Sequence, residues 1–199
     1  MGDQNEGRLD RFLAWQIDAT AGFDTAWVSL EGRRLVAEGR TAGQLPAPYW
    51  TEYRLETGDD FITASVHVES RWREGAASLD LERDPSGGWA VNGAARSDLA
   101  MALDCDLAGC PLTNTMPVLR HELLRRPGDH QLLMAFIEVP SLRVVPSRQR
   151  YTHVRAGDPA GAVIKYRSDS FESDLVFDGD GFVLVYPQLG RRVQPQPAT

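Results

Sequence analysis

Residues 61–72 read FITASVHVESRW, and this stretch decides the fold class because hydrophobic and polar side chains alternate along it. Ile62, Ala64, Val66 and Val68 share one side of an extended chain, while Thr63, Ser65, His67 and Glu69 share the other, since successive side chains of a strand point to opposite faces. A strand with one dry face belongs to an antiparallel sheet solvated on its other side.

The same pattern extends outward. Upstream, Tyr49 to Leu55 reads as a strand ending at Thr57-Gly58-Asp59-Asp60, and Trp27 to Leu30, Glu31-Gly32 and Arg34 to Glu38 as a hairpin. Downstream, Ala77 to Glu82 alternates before the turn residues Asp84-Pro85-Ser86-Gly87-Gly88 and Trp89-Ala90-Val91. Phe171 to Phe177, Asp178-Gly179-Asp180-Gly181 and Phe182 to Tyr186 form the clearest hairpin, with Gly supplying positive φ cheaply. Turn signals at intervals of roughly 8–12 residues predict a mainly β chain, as sandwich, barrel or wide curved sheet. One or two short helical turns are expected, with candidates at 96–103 and 116–124.

A length of 199 residues suits one domain. The expected domain spans 9–193, with flexible ends at 1–8 and 194–199. Tyr49-Trp50-Thr51-Glu52-Tyr53 before one hairpin echoes Val163-Ile164-Lys165-Tyr166 before another, so two similar halves, about 9–103 and 118–193, are expected on either side of a joining loop at 104–117.

A net charge of −7 argues against a nucleic-acid partner, which needs a clustered basic surface. No apolar run reaches the ~18 residues of a membrane span, and no secretory apolar core follows the polar start, so a cytoplasmic chain is expected. Cys105 and Cys110 read as small buried thiols in a reducing compartment. His67, His121, His130 and His153 are scattered without paired ligand spacing, and no cofactor signature is present, so neither metal nor cofactor is expected.

The segment 103–117, LDCDLAGCPLTNTMP, breaks the alternation. Pro111 and Pro117 fix φ, while Thr113, Asn114 and Thr115 can bond nearby backbone groups, which fits a rigid crossover. The functional alternative is that Asp104, Asp106 and Asn114 converge on a polar head group or a hard cation.

Several pieces together resemble the bacterial "putative glycolipid-binding" family over most of the chain. They are Trp15, Asp104-Cys105-Asp106-Leu107 leading to Pro111, and Thr113-Asn114-Thr115-Met116-Pro117. Val145-Pro146 with Gln149-Arg150-Tyr151 follows, then Phe171-Glu172-Ser173-Asp174-Leu175 and Gly181 to Pro187. The resemblance implies a wide curved antiparallel sheet forming an incomplete barrel, similar to bacterial carriers of lipoproteins and envelope lipids, with no catalytic residues to carry over.

The leading expectation is therefore a non-catalytic module that binds a glycolipid or fatty amphiphile in the concavity of a curved sheet. Trp50, Tyr53, Phe61, Tyr151, Tyr166, Phe171 and Tyr186 are candidate lining, because amphipathic aromatics suit a site with one apolar and one wet end; the competing role for each is ordinary strand core. If Tyr151 faces inward, Gln149 and His153 face inward too, and Arg148 and Arg150 face out. Two further readings stay open: an enzyme using Asp104 or Asp106 with His121 or His153, and a homodimeric interaction module.

Overall fold

The computed structural model describes residues 7–157, 161–169 and 171–194; of the ends expected to be flexible, 1–8 and 194–199, residues 1–6 and 195–199 lie outside the described residues. Fifteen strands are described, all in one sheet. The first eight are β1 (Arg8–Ile17), β2 (Gly22–Glu31), β3 (Arg34–Gly43), β4 (Tyr49–Thr57), β5 (Thr63–Trp72), β6 (Gly75–Arg83), β7 (Trp89–Val91) and β8 (Ala94–Ala95). They form an antiparallel meander.

The chain then crosses to the opposite edge, where β9 (Asp104–Leu107) and β10 (Asp129–Ile137) make the one parallel pair among the described strands. The sheet returns through β11 (Val144–Arg155), β12 (Ala162–Ser168), β13 (Phe171–Phe177), β14 (Val183–Tyr186) and β15 (Gly190–Arg192). β15 pairs with β1, so the first and last strands meet in the middle of the sheet.

Among the described residues the edge strands β8 and β9 do not pair with each other, so the large curved sheet is not closed into a barrel, as the resemblance implied. Hydrogen bonds tether the crossover to both halves of the sheet. Trp89 Nε1 donates to Ala102 O at 3.0 Å, Arg96 Nη2 to Val144 O at 3.0 Å, and the Thr63 amide to Leu103 O at 3.0 Å.

The expected hairpins are present. In the Asp178–Phe182 turn, Asp178 Oδ1 accepts the amides of Asp180 (3.0 Å) and Phe182 (2.9 Å), and Gly181 takes φ +89°. The segment read as a joining loop differs: it contains β9, a tight 3-10 turn at Pro111–Asn114, and the helix α1 (Thr115–Arg120). Cys105, Leu107, Leu112, Met116 and Val118 are buried, so this segment fills the inside of the curled sheet. Two apolar residues in a four-residue strand are too few to show a period, and its Pro and Asn punctuate helical turns as readily as loops.

The face assignment of β5 also shifts. Thr63, placed by alternation on the wet side, is buried, because the β4–β5 register slips between Ser65 and Thr63 and the extra residue inverts the parity. Its hydroxyl accepts the Cys105 amide at 3.1 Å.

Two apolar clusters form the core. One joins the inner faces of β1–β6 to the 99–116 segment around Trp15, whose Nε1 donates to Val183 O at 2.8 Å. The other gathers Val118 and Leu123 against Tyr151, Ile164, Tyr166, Leu175, Phe177 and Tyr186.

Candidate functional site

Parity and register bring most of the candidate residues together on the inner face of the C-terminal half. Tyr151 in β11 opposes Tyr166 in β12, Gln149 opposes Ser168, and Ser168 opposes Phe171 in β13. The aromatic rings pack as a cluster, with centroids 5.4 Å apart for Tyr151–Tyr166, 6.0 Å for Tyr166–Phe171, 5.8 Å for Tyr166–Tyr186 and 6.2 Å for Phe171–Tyr186. Among the described residues, the ladder between β11 and β12 starts at Gln149–Ser168, so Val144–Arg148 has a strand neighbour only on the β10 side. That notch opens into a concavity of about 740 Å³ lined by Tyr166, Phe171, Tyr186, Phe136, Leu133 and Gln149, with Asp98, Glu138 and Asp169 around it.

A chain of hydrogen bonds runs beneath it. Gln149 Nε2 donates to Asp106 Oδ2 at 2.6 Å, and Thr113 Oγ1 lies 2.9 Å from Asp106 Oδ1. Tyr151 donates its phenol proton to Asn114 Oδ1 at 2.9 Å and lies 3.1 Å from Gln149 Oε1, while Asn114 Nδ2 donates to Pro111 O at 3.3 Å. Burial pushes the Asp106 carboxyl above its ordinary range, and the bonds from Gln149 and Thr113 oppose that shift. Burial likewise raises the Tyr151, Tyr166 and Tyr186 phenols, so these groups act as neutral hydrogen-bonding sites.

Asp104 stands apart. It is fully buried and its two oxygens take a bidentate pair from Arg120, one bond at 2.6 Å, with burial raising the carboxyl and Arg120 pulling it down. Such a fork fixes α1 to β9. Among the described residues, Asp104 is bonded by Arg120, and Asp106 by Gln149 and Thr113, with no histidine bonded to either. His121 stacks on His130 with centroids 3.9 Å apart, and His153 Nδ1 lies 2.6 Å from Leu123 O. Cys105 and Cys110 are buried and free, and burial, followed by Asp104 and Asp106, raises the Cys105 thiol. Among the described residues, no group of three or more His, Cys, Asp or Glu could hold a metal ion.

Trp50 and Tyr53 do not join this site. Three residues apart on β4, they face opposite sides, with Trp50 exposed on the outer face and Tyr53 buried in the N-terminal half. Tyr53 lies across Gly39, whose added Cβ would come within 2.3 Å of the phenol oxygen, and reaches Asp24 at 3.3 Å. Phe61 is buried with the Arg33 guanidinium 5.6 Å over its ring.

Gln149 is not among the candidates, although the inward parity of Tyr151 predicts its direction; Arg148, expected to face out, is exposed but also lines this concavity beside Gln149. Asp24 carried a similar signal, sharing its side of β2 with the buried Ala26 and Val28.

A family model described as "Putative glycolipid-binding" matches residues 12–192. The crystal structure of a DUF1089 family protein from Pseudomonas aeruginosa is similar, at 26% identity and a TM-score of 0.70, over 85% of this chain and 92% of that one. No curated protein matches the chain. Among the described residues, no helix is long and apolar enough to cross a membrane.

Proposed function

The chain belongs to the family described as "Putative glycolipid-binding", and from that premise we propose that it is a non-catalytic module holding one amphiphile with a sugar head in the C-terminal concavity. The observation that carries this reading is convergence: Tyr166, Phe171, Tyr186 and Gln149, drawn from four strands, line the same space of about 740 Å³. That volume falls within the range of small-molecule sites, which are mostly apolar with a few placed polar groups.

The ring cluster and Phe136 supply the apolar wall, and Gln149, held by Asp106, supplies a fixed polar group for hydroxyls. Asp104 is committed to Arg120, which supports binding rather than acid–base chemistry at that carboxyl.

The test is calorimetric titration with octyl glucoside below its micellar concentration, against octanol and glucose as controls. Octyl glucoside should bind more tightly than either control, and Tyr186→Ala and Gln149→Ala should each weaken it by about tenfold, or ~1.4 kcal/mol, while the protein still unfolds cooperatively. Equal affinity for octanol would remove the sugar-reading role of Gln149, and no binding by octyl glucoside would remove the proposal for this class of head group.

A further inference from the structure

The opposite, outer face of β1–β5 carries an arrangement that the C-terminal concavity does not explain. Strand register sets its side chains in rows. One row runs Phe12–Trp27–Glu38–Arg54–His67, the next Ala14–Thr25–Arg40–Glu52–Glu69, and the third Gln16–Phe23–Ala42–Trp50–Arg71. Phe12, Phe23, Trp27 and Trp50 are 54%, 56%, 67% and 43% exposed, so two aromatic platforms face solvent on one rigid sheet. Large apolar rings clustered in water mark a contact surface more often than chance exposure does.

The platforms are joined. Two concavities, of about 640 and 400 Å³, share Thr25, Arg40 and Glu52, which makes one groove running from Phe12 and Trp27 to Phe23 and Trp50. Trp27 and Phe23 lie four residues apart on β2, about 13 Å along the strand. Between the rings, Arg40 pairs with Glu52 at 3.0 Å and Arg54 lies between Glu38 at 2.9 Å and Glu56 at 2.8 Å, while Glu69 and His67 also line the groove. Arg71 lies 5.4 Å over the Trp50 ring. An anionic ligand would have to displace a carboxylate from one of these pairs and would meet the further carboxylate of Glu69. A neutral polyhydroxyl chain would not, because each carboxylate keeps acceptor sites and each guanidinium keeps N–H groups beyond its ion pair.

We propose that this outer groove binds a neutral oligosaccharide several units long, with Trp27 and Trp50 stacking on the C–H faces of separate sugar rings and Glu38, Glu52 and Arg54 hydrogen-bonding the hydroxyls between them. The site is independent of the inner concavity, from which the sheet itself separates it.

The test follows the indole N–H signals of the five tryptophans in the full chain by nuclear magnetic resonance, assigned by Trp27→Phe and Trp50→Phe. The probes are neutral six-unit chains built of glucose (α- and β-linked), mannose, galactose or N-acetylglucosamine. At least one should shift Trp27 and Trp50 while leaving the buried Trp15 and Trp89 unmoved, and Trp27→Ala should lower its affinity at least tenfold with an unchanged unfolding midpoint. The proposal is overturned if none of these chains moves an exposed indole, or if sulfated or uronic chains bind and neutral ones do not. It is equally overturned if a chain shifts the Tyr186 ring signals in place of the indoles, or if light scattering shows a dimer that Trp27→Ala dissociates, since a second copy would then occupy the face.

Discussion

Asp24 is a buried carboxylic acid with Thr41 Oγ1 donating at 2.8 Å to one oxygen and, among the described residues, no hydrogen-bond partner on the other. Burial raises its pKa from 3.8 to about 7, against the pull of Thr41, Cys110 and Tyr53. Between about pH 4 and 7 the folded protein therefore keeps a proton that the unfolded chain has released, so stability falls as pH rises through that window and levels off above it. The drop from this group is a few kcal/mol. Denaturant titrations from pH 4 to 8 should show it, and Asp24→Asn should flatten the profile and be the more stable form at pH 8; a wild-type profile in the variant would show Asp24 already ionised at pH 4. Asn114→Ala removes the acceptor of the Tyr151 phenol and a donor to Pro111, both buried. It should cost about 1–3 kcal/mol in urea unfolding. Asp106 and Asn114 were legible in the sequence because they interrupt an alternating pattern; Asp24 sits inside one, where its parity with Ala26 and Val28 is the one mark it leaves.

At the scale of elements, the β1–β15 seam is the joint between the two halves of the sheet, and Gly190 is what lets it close. A Cβ at Gly190 would lie 2.2 Å from the Gln16 carbonyl oxygen, a backbone atom that cannot swing aside. Gly190→Ala should therefore cost about 1–3 kcal/mol by overpacking, and hydrogen exchange should rise in β1 and β15 more than in β5; uniform exchange would show the seam is not a separate weak point. Strands and hairpins were legible because their period and turn residues are local. β9 was not, because four residues carry no period and its pairing with β10 is fixed by a distant strand. Thr63 was misplaced because a bulge shifts parity without leaving a mark in the sequence. Trp50 and Tyr53 could have been separated by parity alone, since an odd spacing on one strand forbids a shared face.

At the scale of the whole molecule, an open curled sheet leaves an inside that something must fill. In the N-terminal half, the 99–116 segment packs against the inner faces of β1–β6. In the C-terminal half, the notch beside β11 leaves the concavity framed by Tyr166, Phe171 and Tyr186. The open sheet was legible through the family resemblance rather than through periodicity, which fits a sandwich or closed barrel equally well. The crossover from β8 to β9 was not legible, because it depends on contacts between segments far apart in the chain. The central claim is that the remaining space takes an amphiphile, and the most direct measurement is native mass spectrometry with lipid extraction on protein purified without detergent from a bacterial host. The expected result is one sugar-headed amphiphile per chain, reduced at least tenfold in the Tyr186→Ala variant. A protein that is empty, or that carries the same lipid with Tyr186→Ala, would contradict the assignment of this concavity.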